Sequence, residues 1–153
     1  MRAIIQRVAS ASVTVAEQIV GQINAGLLVL LAVSPSDSTD DLRKLADKIL
    51  NLRIFPDDQD RFDRSLIDCH GELLVVSQFT LYADTRKGRR PSFVGAAAPA
   101  LAEPMVEQFI AYCREQGVTT ASGQFGAAMQ VQLINDGPVT IILDTAEWQH
   151  GRG

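Results

Sequence analysis

Ser77, Gln78 and Thr80 follow directly on the apolar run Leu73–Val76, with Phe79 set among them. An apolar run of that length reads as a buried strand. Polar side chains at its mouth are costly unless paired or used, since each buried unpaired polar group costs about 1–3 kcal/mol. Such a segment can offer backbone N–H groups at a strand end, aimed at a carbonyl oxygen. That is oxyanion-hole chemistry, where losing one donor costs about 3–4 kcal/mol of transition-state stabilisation. Thr80 is also a candidate nucleophile, but a threonine hydroxyl needs an adjacent base. Its sequence neighbours include none, so its side chain is expected to donate a hydrogen bond or shape a pocket. Pattern alone also fits a strand that simply leaves the core and reaches water. A second pole lies downstream, at Asn135-Asp136-Gly137-Pro138-Val139-Thr140. By itself Gly137-Pro138 is turn punctuation between two strand-like runs.

Other chemistry-bearing residues carry weaker signals. The acidic stretch Asp57-Asp58-Gln59-Asp60 invites a calcium reading, but that loop needs glycine at its sixth position and glutamate at its twelfth. Phe62 and Asp68 stand there instead, so a solvated loop is expected. His70 falls in a turn and His150 in the tail. No nucleophile elbow, zinc-protease helix or phosphate loop is present, which argues against a serine–histidine–acid hydrolase. Cys69 and Cys113 have no metal-type spacing and read as free thiols in a reducing compartment. Phe125 and Met129 read by default as core at the start of a strand. Arg86, Lys87, Arg89 and Arg90 form one dense basic cluster, either solvated loop or a phosphate contact.

The elements that must position these residues can be read along the chain. Met1–Val8, Ser12–Val15 and Ile19–Ile23 read as strands, with Glu17-Gln18 as a turn. Leu27–Val33 is an unbroken apolar run, typical of a strand buried on both faces. Ser38 or Thr39 can cap a helix whose first turn holds Asp40 and Asp41. Its apolar face is Leu42, Leu45, Ala46, Ile49 and Leu50. Leu52–Phe55 and Ser65–Asp68 read as short strands, with Asp57–Asp63 an acidic loop between them. His70-Gly71 turns into the central strand. A second helix lies between Pro99 and Gln116, with Met105, Val106, Phe109, Ile110 and Cys113 buried, Pro104 in its first turn and Gly117 as cap. Met129–Ile134 and Val139–Leu143 read as strands joined by the Asn135–Pro138 turn. Beyond Asp144, residues 146–153 in particular, the tail reads as loose.

The chain has 153 residues, 46% hydrophobic and 21% charged, which fits one domain over 1–153 with an ordinary core. The pattern gives an α/β or α+β domain. A net charge of −4 argues against nucleic-acid binding by bulk charge, while leaving room for a local basic patch. Arg2 and Arg7 interrupt the N-terminal apolar run, so it reads as a strand and not a signal peptide. No apolar stretch reaches the length of a membrane span. A cytoplasmic location is expected.

SQFTLYAD, followed about fifty residues later by NDGPVT, resembles the D-aminoacyl-tRNA deacylases (the D-tyrosyl-tRNA deacylase family). The resemblance runs from MRAIIQRV through GELLVVSQFTLYADTRKGRRPSF to the closing strands. It implies a three-layer β/β/α fold with a barrel-like, mostly antiparallel or mixed sheet and two helices, working as a homodimer. It implies hydrolysis of the ester joining a D-amino acid to the terminal ribose of tRNA, as chiral proofreading in translation. Achiral glycine, mischarged on tRNA-Ala, is expected as a further substrate. By resemblance, Ser77, Gln78, Phe79 and Thr80 hold the aminoacyl carbonyl and ribose. Gly137 and Pro138, joined by a cis bond, enter the partner subunit's site and exclude the L form. Phe125 and Met129 match positions lining the pocket for the terminal adenosine. The ribose 2′-hydroxyl assists the attack, and no metal or organic cofactor is expected. The chain departs from the family at Arg61-Phe62-Asp63-Arg64, where relatives carry a Gly-Lys-Met-Asn-like turn. Two rival readings remain: another small-ester hydrolase using Thr80, and an RNA-binding module that does not cleave.

Overall fold

The computed structural model describes residues 1–149. Strand β1, Arg2–Val15, is the spine of the sheet. Its two edges are used differently. Strands β2 (Gln18–Ile23) and β3 (Gly26–Ala32) lie antiparallel to it, β3 against residues 2–8 and β2 against residues 11–15. The 15-residue β8, Gln130–Asp144, runs antiparallel along β1, from Thr14↔Gln130 to Arg2↔Asp144. Beyond β3 the sheet turns parallel, adding β6 (Glu72–Ser77) and then β7 (Thr120–Ser122). The far strands β2 and β7 approach each other, so the sheet curls into a nearly closed barrel. The short pair β4 (Phe55–Pro56) and β5 (Phe62–Arg64) stands apart.

Three helices cover the sheet. Helix α1, Thr39–Asn51, starts on a complete capping box: Asp41 N–H donates to Ser38 Oγ, and Ser38 N–H donates to the Asp41 carboxylate. Helix α2, Pro99–Glu115, opens on Pro99, where the missing N–H costs nothing. Helix α3, Thr145–Gln149, follows β8 directly. The core divides in two. One cluster lies between helices and sheet, around Leu45, Ile49, Phe109 and Leu73. The other fills the inside of the curl, with Val13, Ile23, Leu28 and Leu74. That division produces the expected layered, mixed α/β arrangement.

Several expectations are corrected. Among the described residues there are three α-helices, not two, because residues 145–149 form a third: Thr145 is buried and Trp148 packs on the core. His150 and the rest of the tail lie outside the described residues. Met1–Val8 and Ser12–Val15 are one strand, since β8 bridges the small residues between them. The turn after it is Ala16-Glu17, both at positive φ. Ser65–Asp68 is a turn, closed by Ser65 N–H to the Asp68 carboxylate and Asp68 N–H to Ser65 Oγ. Of the expected strand Leu52–Phe55 only Phe55 is strand, in β4, and the end of the expected acidic loop, Phe62-Asp63, belongs to β5. Pro104 is inside α2, not in its first turn. It is tolerated because it sits on the solvent side, where water can satisfy the carbonyl it leaves unbonded. Asn135–Pro138 does not join two strands as a hairpin turn. It bulges from within β8, where Gln6 pairs Thr140 but Val8 pairs Asn135.

Candidate active site

Strand β6 ends at Ser77, and the chain tightens at once into a 3-10 turn, Phe79–Tyr82. The Gln78 N–H donates to Leu31 O at 2.8 Å, which ties the start of this turn to β3. Leu81 N–H returns to Gln78 O. The amides of Phe79 and Thr80, at the head of the turn, have no acceptor among the described residues. The Gln78 side chain donates to Thr80 Oγ1 at 2.5 Å. Thr80 is exposed, and no carboxylate, imidazole or amine bonds its hydroxyl.

Beside this turn opens a cavity of about 660 Å³. The ends of β3 and β6 form one wall, with Ser77, Gln78 and Phe79 at their tip. The Ala96–Pro99 run at the head of α2 forms another, and Phe125, Met129 and Val131 a third. Phe93 packs edge-on against Phe79, ring centroids 5.1 Å apart. The lining contains no Asp, Glu, His, Cys, Lys, Arg or Tyr. The nearest titratable side chain along the turn is Tyr82, whose pKa is pushed up to about 12 by burial and by Asp37 and Asp144. It is a phenol, not a base, at neutral pH. The pocket is thus a neutral, largely apolar container with free backbone donors beside it. It can hold a planar apolar group and polarise a carbonyl, but it supplies no general base.

Phe125 and Met129 both pack against the core, as the default reading has it, and both also line this pocket. Gly137 and Pro138 do not line it. Their peptide is cis, as the resemblance implies. Gly137 has φ +137°, and a Cβ there would stand 2.8 Å from Val139 Cγ2. Asn135 holds the base of the bulge, its Nδ2 donating to Arg7 O at 2.9 Å and Val139 O at 3.0 Å. Arg7 holds its crown. Its Nε donates to Asp136 O at 3.0 Å and its Nη1 to Ile54 O at 2.7 Å, while Phe62 covers the guanidinium 5.6 Å away. Sequence reading treated Arg7 only as an interruption of a strand. The signal was its phase: Ala3, Ile5 and Arg7 alternate inward, and Arg7 is 8% exposed.

Arg86, Lys87, Arg89 and Arg90 are all exposed, on a loop closed at its base by the Asp84–Ser92 backbone pair. That base joins the 3-10 turn to Phe93, so the loop hangs from the pocket wall. Arg86 is paired with Asp84, with contacts of 2.8 and 2.9 Å. Lys87, Arg89 and Arg90 pair with no carboxylate among the described residues. The Asp57 carboxylate is spent on its own turn, accepting from Gln59 N–H and Arg61 N–H. His70 stands exposed in its turn, away from the pocket lining. Among the described residues no helix is long and apolar enough to cross a membrane.

The pocket lies at the strand end of a curled mixed sheet, and its lining carries no titratable side chain. Residues 4–144 match the family model described as D-Tyr-tRNA(Tyr) deacylase, and the chain belongs to that family. It is 91% identical to a D-aminoacyl-tRNA deacylase of Herpetosiphon aurantiacus over the whole of both chains. A Roseiflexus protein of the same description is 57% identical, covering 99% of this chain and 98% of its own. Among solved structures, a c-Myc DNA unwinding element binding protein superposes with TM-score 0.88 at 40% identity, over 94% of this chain and 98% of its own. A probable eukaryotic D-amino acid tRNA deacylase shares the fold, with TM-score 0.83 at 21% identity over the same shares.

Proposed function

We propose that this deacylase hydrolyses the ester of D-aminoacyl-tRNA in the cytoplasm, releasing free D-amino acid and tRNA, and that it spares the L form. Glycyl-tRNA mischarged on tRNA-Ala is a further substrate of the same site. The observation that carries this reading is the neutral pocket lined by Ser77, Gln78 and Phe79, in a turn whose Phe79 and Thr80 amides are unbonded among the described residues. The terminal adenosine occupies the pocket, against Phe125 and Met129. The aminoacyl carbonyl then meets the free amides. Water adds to the carbonyl carbon, the oxyanion is held by those N–H groups, and the ester C–O bond breaks to give carboxylate and ribose hydroxyl. The ribose 2′-hydroxyl assists the water, which removes the need for a protein base.

Two copies are needed. Gly137 and Pro138 lie outside the pocket of their own chain, so on this reading they read chirality in a partner's. The surface offers a place for that partner. The outer edge of β8 pairs with nothing among the described residues, and its Ile134 and Ile142 are 60% and 73% exposed. The exposed Arg86–Arg90 loop takes phosphates of the tRNA end. No metal or organic cofactor enters the scheme. The test is release of free tyrosine from D-Tyr-tRNA and L-Tyr-tRNA. Fast, D-selective release supports the proposal. Equal loss of both hands contradicts the chiral reading, and tight binding without release favours an RNA-binding module.

A further inference from the structure

The 3-10 turn that carries Phe79 and Thr80 has no buried residue and no side-chain cap at its head. Its own hydrophobic contribution is therefore small, and something else must fix its position. Two anchors are visible. One is the Gln78 N–H to Leu31 O bond at its head. The other is Arg2, which reaches its tail from the start of β1. Arg2 Nη1 donates to Leu81 O at 3.1 Å, and the guanidinium lies 4.5 Å from the centre of the Tyr82 ring. Its Nε is held in turn by the Asp144 carboxylate at 2.7 Å. One planar cation thus joins the carbonyl and the ring of the turn to the last residue of β8. A guanidinium can do this because its donors fork in one plane while its face stacks.

We infer that Arg2 is a positioning residue for deacylation: it fixes the tail of the Phe79–Tyr82 turn so that the Phe79 and Thr80 amides stay aimed at the substrate carbonyl. Arg2 reaches only the tail of the turn, at Leu81 O and the Tyr82 ring, and not the Phe79 and Thr80 amides at its head. Its removal therefore acts on the chemical step and leaves substrate binding in place. Arg2–Asp144 also links the turn to the strand that carries Gly137 and Pro138. The inference rests on the proposed use of the two amides, and the experiment separates the two.

Arg2→Ala and Arg2→Lys are compared with the parent chain by D-Tyr-tRNA deacylation kinetics, thermal unfolding and hydrogen exchange of residues 78–84. Arg2→Ala is expected to lower kcat by about 10- to 100-fold, the range a small misplacement costs. KM should stay within about twofold, as befits an interaction absent from ground-state binding. Exchange of the Leu81 and Ala83 amides should rise with no general rise elsewhere. Arg2→Lys keeps the Asp144 pair but loses the fork to Leu81 O, so its kcat should fall between the other two. Unchanged exchange at 78–84, or a loss of kcat that only follows the melting temperature, overturns the positioning role. Raised exchange with unchanged kcat overturns it too, and shows further that the two amides are not the donors that matter.

Discussion

Thr80 has its hydroxyl oxygen engaged by the Gln78 amide at 2.5 Å, and no base touches it. A nucleophile needs the opposite arrangement, with its proton drawn off. Thr80→Ala should therefore keep single-turnover deacylation within about tenfold of the parent, and a fall to the uncatalysed rate with the fold intact would restore the nucleophile. Tyr82 makes a pH prediction. Its folded pKa is raised to about 12 from 10.0, by burial first and then by Asp37 and Asp144. A raised pKa means the folded state resists losing the proton that the unfolded chain gives up. The associated stability is full below pH 10 and drains away between about 10 and 12. Urea unfolding at about pH 9 and about pH 11 should thus show a smaller loss for Tyr82→Phe than for the parent. Arg7 and Asn135 belong at this scale as well. Neither residue type announces a role, and only the inward phase of Arg7 within β1 could have exposed it.

Among the elements, β3 and β6 begin side by side at Gly26 and Glu72. A Cβ at Gly26 would overlap the Glu72 carbonyl oxygen, and backbone cannot swing aside as a side chain can. Gly26→Ala should cost more than about 3 kcal/mol in chemical denaturation, and a cost below about 1 kcal/mol would show that the crossing is looser than it stands. The strong elements were legible in the sequence for simple reasons. The run Leu27–Val33 and the face Leu42–Leu50 have the periods of a buried strand and an amphipathic helix, and both formed. The helix start was expected at Ser38 or Thr39, and the reciprocal Ser38–Asp41 bonding of a Ser-x-x-Asp pattern decides for Ser38. The pattern was missed at Ser65–Asp68, where the same reciprocal bonding closes a single turn and only the apolar Leu66 and Ile67 suggested a strand. Residues 135–138 read as a hairpin turn by every local rule. Local chemistry fixed the bend but could not reveal that β1, 129 positions away at the Arg7–Asp136 bond, carries the strand through it. The same limit hid the pocket, whose walls come from four separate stretches of chain.

For the whole molecule, basic charge is densest on one loop, which holds Arg86, Lys87, Arg89 and Arg90, although the chain is acidic. Among the described residues Lys87, Arg89 and Arg90 have no carboxylate partner, while Arg86 is held by Asp84. Each phosphate contact on a single strand should contribute about 0.7 to the slope of log affinity against log salt. Neutralising Lys87, Arg89 and Arg90 should flatten that slope, and Arg86→Ala should change it least; no change from the triple substitution would leave the loop as solvated surface. The proposed dimer makes a sharper claim, because each site would need its partner's Gly137-Pro138. The most direct test of the account is a comparison of hands on one preparation: single-turnover release of tyrosine from D-Tyr-tRNA and from L-Tyr-tRNA by the purified chain. The account predicts release from the D substrate at least ~100-fold faster than from the L substrate, the several-kcal/mol gap a built-in clash can supply. Equal rates, or no release from either, would contradict it.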